Sequence, residues 1–289
     1  MIDCTLHGTA EWLQMNSHPT GNGRHVIAFL VSLLFIATSL SVKAGQSAST
    51  DGSLPPNLPG KSWKLVWSDE FDGTELRTAR WRIDRDAPRR DGWWTKRAIG
   101  LDGRGHLVIQ TLKESNRYIS GCVETSGKFE HKYGYYVARI QLQGQEGHWS
   151  AFWLMCRGVT SVGNGGRDGT EIDIMEKPWL DNRVQHTLHW DGYRKDHCST
   201  GNVARVEGIM KGFHTFSLLW TPEEYVFYVD SRETWRTRGG GVSQVPQYIL
   251  LSDEIGSWGG NITNAVLPDK MLIDYVRVYD MIDSGKPTR

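Results

Sequence analysis

The stretch Gly169-Thr170-Glu171-Ile172-Asp173-Ile174-Met175-Glu176-Lys177-Pro178-Trp179 sets three carboxylates among three apolar side chains in six consecutive residues. It has no helical period, but Glu171 to Ile174 alternate as a strand does. Such a strand places Glu171 and Asp173 on one face and Ile172 and Ile174 on the other. Glu176, three positions after Asp173, would fall on the isoleucine face; a β-bulge at Ile174-Met175 adds one residue and returns it to the acidic face. Pro178 has no N–H for a ladder and ends the strand. A row of like charges is unfavourable unless a proton, a cation or a function offsets it. Retaining hydrolysis of a glycosidic bond needs such a row: one carboxylate as nucleophile and a second carboxyl as general acid, about 5–5.5 Å apart. Asp173 between them would share a proton and hold their pKa values apart. A calcium hand fits less well, because its Asp/Asn-rich loop and turn glycine are missing. A solvated face of an edge strand is the plain alternative.

Glu-Ile-Asp-Ile-Met-Glu at 171–176 resembles the E-x-D-x-x-E signature of glycoside hydrolase family 16, the β-jelly-roll endo-glycanases that include laminarinases, agarases, porphyranases and carrageenases. Met175 matches the bulged form of that signature; lichenases and xyloglucan transglycosylases carry the shorter E-x-D-x-E. The resemblance runs from about Trp63 to Tyr279. It implies Glu171 as nucleophile, Glu176 as acid/base and Asp173 hydrogen-bonded to Glu171, in an endo-acting, anomer-retaining hydrolase.

Composition is that of one ordinary globular domain: 289 residues, 39% hydrophobic, formal net charge zero. Nothing in the charge balance points to nucleic acid. Aromatic content stands out, with 13 Trp and 10 Tyr, residues that serve equally in a core and against the C–H faces of sugars. Residues 26 to 40 form an uncharged apolar run, shorter than the ~20 residues that span a bilayer. Arg24 and His25 precede it, and Val42-Lys43-Ala44-Gly45 reads as a cleavage site, so residues 1–44 are expected to be a signal peptide, with an uncleaved membrane anchor the alternative and Met15 an alternative start. Residues 45–60, rich in Ser, Gly and Pro, read as a linker, 61–281 as the catalytic domain and 282–289 as a short tail. The product is then a secreted or periplasmic monomer without stable membrane insertion.

From Lys61 onward, short β-type runs alternate with Gly, Asp and Asn turns, and no amphipathic helix is evident. This pattern predicts an all-β, two-sheet β-jelly-roll sandwich of the concanavalin or lectin kind, with a concave cleft. The segments 63–73, 124–142, 213–230 and 271–279 each resemble a block of the family; 124–142 is read as two strands about a Tyr133-Gly134 bend, and 213–230 as a hairpin with a Thr-Pro-Glu-Glu turn.

On 149–155, Trp149, Ala151, Trp153 and Met155 share one face, and Ser150, Phe152 and Leu154 the other, as in a central strand covered on both sides. The resemblance makes Trp149 and Trp153 sugar contacts, with core packing the alternative, and favours His189 beside the acids, with His186 in reserve. Trp94, Glu254 and Trp258 complete the expected substrate-binding set. Trp93, Arg97, Arg194 and Lys195 also lie on loops within reach of a cleft. Glu254 and Asp253 depart from the Asn-rich strand of laminarinases, which places β-1,3-glucan beside marine galactan as substrate.

No metal or cofactor is needed for the chemistry. A structural calcium is implied by the resemblance, with Asp274 as a side-chain ligand and a backbone oxygen near Glu70; a salt bridge of Asp274 to Arg277 or Lys64 is the alternative. If strands 149–155, 171–176 and 184–190 run antiparallel in sequence, Cys156 and Cys198 emerge at one end of the sheet, where a bridge would leave Cys122 free. The expected partner is a β-linked polysaccharide. A non-catalytic carbohydrate-binding jelly roll and a transglycosylase are the rival readings.

Overall fold

The computed structural model describes residues 54–84 and 86–284, all within a compact unit that spans Asp51–Arg289. The expected signal peptide at 1–44, the first part of the expected linker and the end of the expected tail lie outside the described residues. Eighteen strands follow one another: β1 (Lys61–Asp69), β2 (Arg82–Ile83), β3 (Ala87–Arg89), β4 (Gly92–Trp94), β5 (Ile99–Leu101) and β6 (Leu107–Glu114). Next come β7 (Arg117–Ser120), β8 (Cys122–Glu124), β9 (Gly134–Gln141), β10 (His148–Met155), β11 (Glu171–Lys177) and β12 (Arg183–Trp190). The last six are β13 (Cys198–Arg205), β14 (Phe213–Trp220), β15 (Tyr225–Val229), β16 (Arg232–Thr237), β17 (Tyr248–Ile255) and β18 (Asp269–Asp283). Among the described residues, only short 3-10 turns interrupt them.

Two sheets form the jelly-roll-like sandwich expected from the alternation. One has seven strands in the order β13-β12-β11-β10-β17-β8-β2; the other has eleven, with β9 and β18 near its centre. Between them lies one core, to which β10 contributes Phe152 and Leu154, β11 Ile172, Ile174 and Met175, and the second sheet Tyr136, Ala138, Phe216, Trp220 and Val276. The opposite face of the seven-stranded sheet carries Trp149, Ala151 and Trp153 of β10 and the acids of β11.

Several local expectations change. Residues 54–60 are not a free linker: Pro55 is buried, Leu58 packs beside Tyr135, and Trp63 Nε1–H donates to Pro56 O at 3.1 Å. The tail does not start at 282, because β18 pairs Asp283 with Lys61 of β1. The two strands expected within 124–142 are one strand, β9. Thr125 O accepts from the N–H groups of Lys128 and Phe129, and this turn, with Gly127 and Tyr133 at positive φ, leaves only a bridge at His131. The 213–230 hairpin forms as read, with Trp220 opposite Tyr225. Asp253, the first departure from the Asn-rich strand, has a structural role, since its carboxylate accepts from Thr111 Oγ1 and lies 2.9 Å from His148 Nδ1. Burial would lower the pKa of His148, but Asp253 and Asp269 outweigh it and raise the imidazole to about 10. Cys122 and Cys156 are both free and buried, so the bridge from Cys156 to Cys198 is not formed.

The feature that positions the acidic row is the bulge. On β12, Thr187 opposes Asp173 and Gln185 opposes Glu176, two residues against three. On the other side, Trp153 opposes Asp173 and Phe152 opposes Met175, which leaves Ile174 as the extra residue. Both Ile174 and Met175 are fully buried in the core. A carbonyl freed by a bulge needs a donor when it is buried, and His186 supplies one: its Nδ1 lies 2.7 Å from Ile174 O while Nε2 meets Thr234 Oγ1 at 2.9 Å. Burial holds this imidazole neutral, with its pKa lowered to about 4. His186 therefore faces the core rather than substrate. His186→Ala is expected to destabilise the domain by about 2–4 kcal/mol, the sum of a cavity and an unsatisfied carbonyl. Urea denaturation measures the loss, and an unchanged midpoint would remove His186 as the bulge's support.

Candidate active site

Strand register brings the acids together with one histidine. Glu171 lies directly opposite His189 on β12, and Glu176 lies opposite Ala151 on β10. Gly169, just before the row, lets the chain pass close to the 157–160 turn: a Cβ there would sit 2.5 Å from Gly158 C and 2.6 Å from Cys156 Sγ. The Tyr193 hydroxyl donates to Glu171 Oε2. Thr187 Oγ1 donates to Glu176 Oε2 at a long 3.5 Å. Asp173 is only 4% exposed, and its Oδ2 has no hydrogen-bond partner. Instead of a bond to Glu171, Asp173 Oδ2 has His189 Nε2 beside it at 3.4 Å; Glu171 Oε1 lies 4.0 Å from the same nitrogen. His189 Nδ1 is 2.9 Å from His197 Nε2.

This arrangement separates the acids by environment. Burial, reinforced by the charge of Asp173, pushes the Glu176 carboxyl well above the usual carboxylate range. Asp173 is likewise raised well above it, by burial and then by Glu171 and Glu254. Burial also raises Glu171, but the Tyr193 hydrogen bond and the neighbouring His189 oppose that rise. Of the two glutamates, Glu171 thus has the better support for a negative charge, and Glu176 is the one held as an acid. A charged carboxylate and a protonated carboxyl on one strand face are the two components that displacement at an acetal carbon requires.

The expected sugar contacts are placed unequally. Trp258 is 41% exposed and stands edge-on to Trp149 at 5.3 Å and to Trp179 at 5.8 Å. Trp149 itself is 3% exposed, covered by Trp258 and by the Arg90 guanidinium 5.2 Å above its ring, so Trp258 offers the open platform. Trp153 is buried on the cleft floor and donates Nε1–H to Ser252 Oγ at 3.0 Å. Trp94 differs from expectation: it packs with Trp153 and Cys122 and donates Nε1–H to Asp253 O at 2.9 Å. Arg89 lies over its ring at 4.6 Å, which leaves no face for a sugar. Glu254 faces Trp149 across the ladder and is ion-paired with both Arg89 and Arg90. Of the residues expected on outer loops, Arg97 is tied to Glu114, and Trp93 stands instead on β4, under Arg117.

The side-chain ligand expected for calcium, Asp274, does not fit a cation as it stands. Asp274 is engaged by Arg139 rather than by Arg277 or Lys64, and Glu70 takes Arg277 at 2.9 and 2.7 Å. Each carboxylate already faces a guanidinium, whose charge a calcium ion would have to oppose.

Four residues of the site are not evident in the sequence: Tyr193, His197, Arg89 and Arg90. The Asp191-Gly192 pair, both at positive φ, signals a turn after β12. That signal says nothing about where the turn delivers Tyr193 and His197, namely onto Glu171 and His189.

The model of a family described as "Glycosyl hydrolases family 16" matches residues 89–277. A keratan-sulfate endo-1,4-beta-galactosidase of Sphingobacterium multivorum is 30% identical over 291 positions, which cover 88% of this chain and 67% of that protein. A beta-glucanase of Rhodothermus marinus is 29% identical over 252 positions, 76% of this chain and 86% of that one. Among solved structures, the laminarinase from Flavobacterium sp. UMI-01 superposes with a TM-score of 0.64 at 28% identity, covering 75% of this chain and all (100%) of that one.

The Tyr193 contact yields a test independent of any substrate. Tyr193→Phe removes the donor that opposes the effect of burial, so the Glu171 carboxyl should titrate at still higher pH. A carbon-13 NMR titration of labelled glutamate reads the change; an unmoved resonance would mean that the phenol does not support the charge.

Proposed function

This chain belongs to glycosyl hydrolases family 16 and is an endo-acting β-glycanase, and from that premise we propose that it cleaves with retention, Glu171 attacking and Glu176 passing the proton. The observation that carries this reading is the bulge, which turns both glutamates to one face, one held by a phenol and the other, half-buried beside Asp173, raised as an acid. In the first step a Glu171 oxygen forms a bond to the anomeric carbon as the bond to the leaving oxygen breaks and takes the proton of Glu176. In the second, Glu176 removes a proton from water, which displaces Glu171 and restores both groups. Asp173 acts through charge on its two neighbours, and His189 lies where it meets both Glu171 and Asp173.

The substrate reading is a β-galactosidic chain bearing acidic groups. Two features support it: the alignment with the keratan-sulfate galactosidase spans more of this chain than that with the β-glucanase, and Arg89 and Arg90 set two guanidiniums against the single carboxylate of Glu254 beside Trp149. A net positive cleft end suits sulfate or carboxylate. A β-1,3-glucan is the second reading, favoured by the likeness to a laminarinase. Reducing-sugar release from keratan sulfate, its desulfated form, laminarin, agarose, porphyran and carrageenans separates them, and laminarin as the sole substrate would sink the galactan reading. Export is supported by the apolar run at 26–40; among the described residues no helix is long and apolar enough to cross a membrane.

Mechanism is tested by deletion of each carboxylate. Glu176→Ala should lower turnover of polysaccharide by about 10²–10⁴-fold yet spare aryl glycosides with good leaving groups, and azide should restore rate as the β-glycosyl azide. Glu171→Ala should abolish hydrolysis of every substrate and give the α-azide instead. Because Glu171 must be ionised and Glu176 protonated, kcat/KM should rise with pH through the raised pKa of Glu171 and fall through that of Glu176. The descending limb should vanish in Glu176→Gln. An α-anomer as the first product, seen by proton NMR, would show inversion and end the assignment of Glu171 as nucleophile.

A further inference from the structure

We propose that Glu171, Asp173 and His189 also form a binding site for a divalent transition-metal ion of zinc type, and that filling it stops catalysis. One donor atom from each of the three residues lies within 4.8 Å of the other two. The set is fixed by strand register rather than by a loop, since Glu171 and His189 are direct neighbours across β11 and β12 and Asp173 follows on the same face.

A group of carboxylates alone would not indicate a metal; the orientation of Asp173 does. Its Oδ2 is buried and has no hydrogen-bond partner although His189 Nε2 is only 3.4 Å away. The two atoms approach without the alignment that a hydrogen bond requires, as expected of two donors aimed at a common third point. Ligands at ~2.05 Å around a tetrahedral zinc ion lie about 3.4 Å apart, which matches the separation of Asp173 Oδ2 and His189 Nε2. Glu171 Oε1, at 4.0 Å from that nitrogen, reaches the same geometry by a small side-chain rotation.

The surrounding contacts are those that orient metal ligands. A coordinating imidazole keeps its free nitrogen toward the ion by donating the other N–H to a fixed acceptor. His189 Nδ1 has such a partner in His197 Nε2 at 2.9 Å. Tyr193 donates to Glu171 Oε2, which fixes the carboxylate and leaves Oε1 for coordination. One imidazole and two carboxylates suit zinc, nickel or copper and give too few oxygens for calcium or magnesium. The fourth position opens to the cleft, where water completes the shell. Two positive charges would also relieve the repulsion between Glu171 and Asp173, which burial makes costly.

Loss of activity follows from the chemistry of Glu171, and this part rests on its reading as nucleophile. A carboxylate whose charge is drawn into a metal bond is a weaker nucleophile, and an ion between Glu171 and His189 would stand where the anomeric carbon must approach.

Cobalt(II) is the probe, added to the purified, chelator-washed domain. The expected result is one ion per chain, with visible absorption of a four-coordinate site that zinc(II) abolishes by displacement. His189→Ala should remove it. If that variant fails to fold by circular dichroism, His197→Gln on the exposed loop should still weaken binding about 10–100-fold. Zinc should inhibit glycan cleavage competitively, and EDTA should restore it in full. Absence of cobalt bands, or affinity in both histidine variants equal to that of the unmodified protein, overturns the site. Cobalt bound in the His189-dependent manner with undiminished turnover overturns the blocking step and, with it, the role of Glu171.

Discussion

One residue of backbone, inserted between Asp173 and Glu176, decides the chemistry of this domain. A regular strand would send Glu176 into the core between the sheets, where an ionised carboxyl costs several kcal/mol. The extra residue is accommodated because both members of the bulge, Ile174 and Met175, are apolar and fill that core in place of the glutamate. Its carbonyl would be an orphan there, and His186 from the next strand removes the penalty. The acidic face is thus maintained from behind by hydrophobic burial and one neutral imidazole, and the residues that make the bulge never touch the cleft.

With the row in place, its charge becomes the next constraint. Glu171, Asp173, Glu176 and Glu254 all lie on one sheet face, and beside burial their mutual repulsion raises the pKa values of the first three. Proton uptake by some of them is one relief, and the electrophilic neighbours are the other. Arg89 and Arg90 attend Glu254 at one end, while His189 and Tyr193 attend Glu171 at the other. Glu176 receives less polar support than Glu171, a single hydroxyl at 3.5 Å, which favours its protonated form. In the proposed mechanism, acid and nucleophile are therefore distinguished by what surrounds them rather than by what they are, since both are glutamates on one strand.

The sequence made legible whatever depends on period and local register. An offset of three within an alternating strand required the bulge, and the alternation of 149–155 separated Trp149 and Trp153 from Phe152 and Leu154 correctly. The hairpin at 213–230 was marked by its turn chemistry. What stayed hidden depends on contacts between distant segments. Arg90 is far along the chain from Trp149 yet covers its ring, and Arg89 covers Trp94 from the neighbouring strand of one short hairpin, which leaves Trp258 as the open aromatic face. Arg139 reaches Asp274 across β9 and β18, a pairing that no spacing announces. The 125–133 segment has strand-like residues, but a Thr125 turn and Gly127 take its backbone hydrogen bonds out of the ladder.

These two classes of residue also differ in how they can change. The acids and their bulge sit on central strands, paired on both sides by β10 and β12, so their spacing is held by two ladders at once. Tyr193 and His197 come from one exposed turn, and Arg90 from a residue at positive φ between two short strands. Side chains on such segments can be replaced without disturbing the sandwich core. In the proposed function the row fixes what kind of bond is broken, while the segments that neutralise it and cover its tryptophans fix which chain can lie there. Chemistry and selectivity are therefore carried by separate parts of the fold, joined only through the charge they share at Glu171 and Glu254.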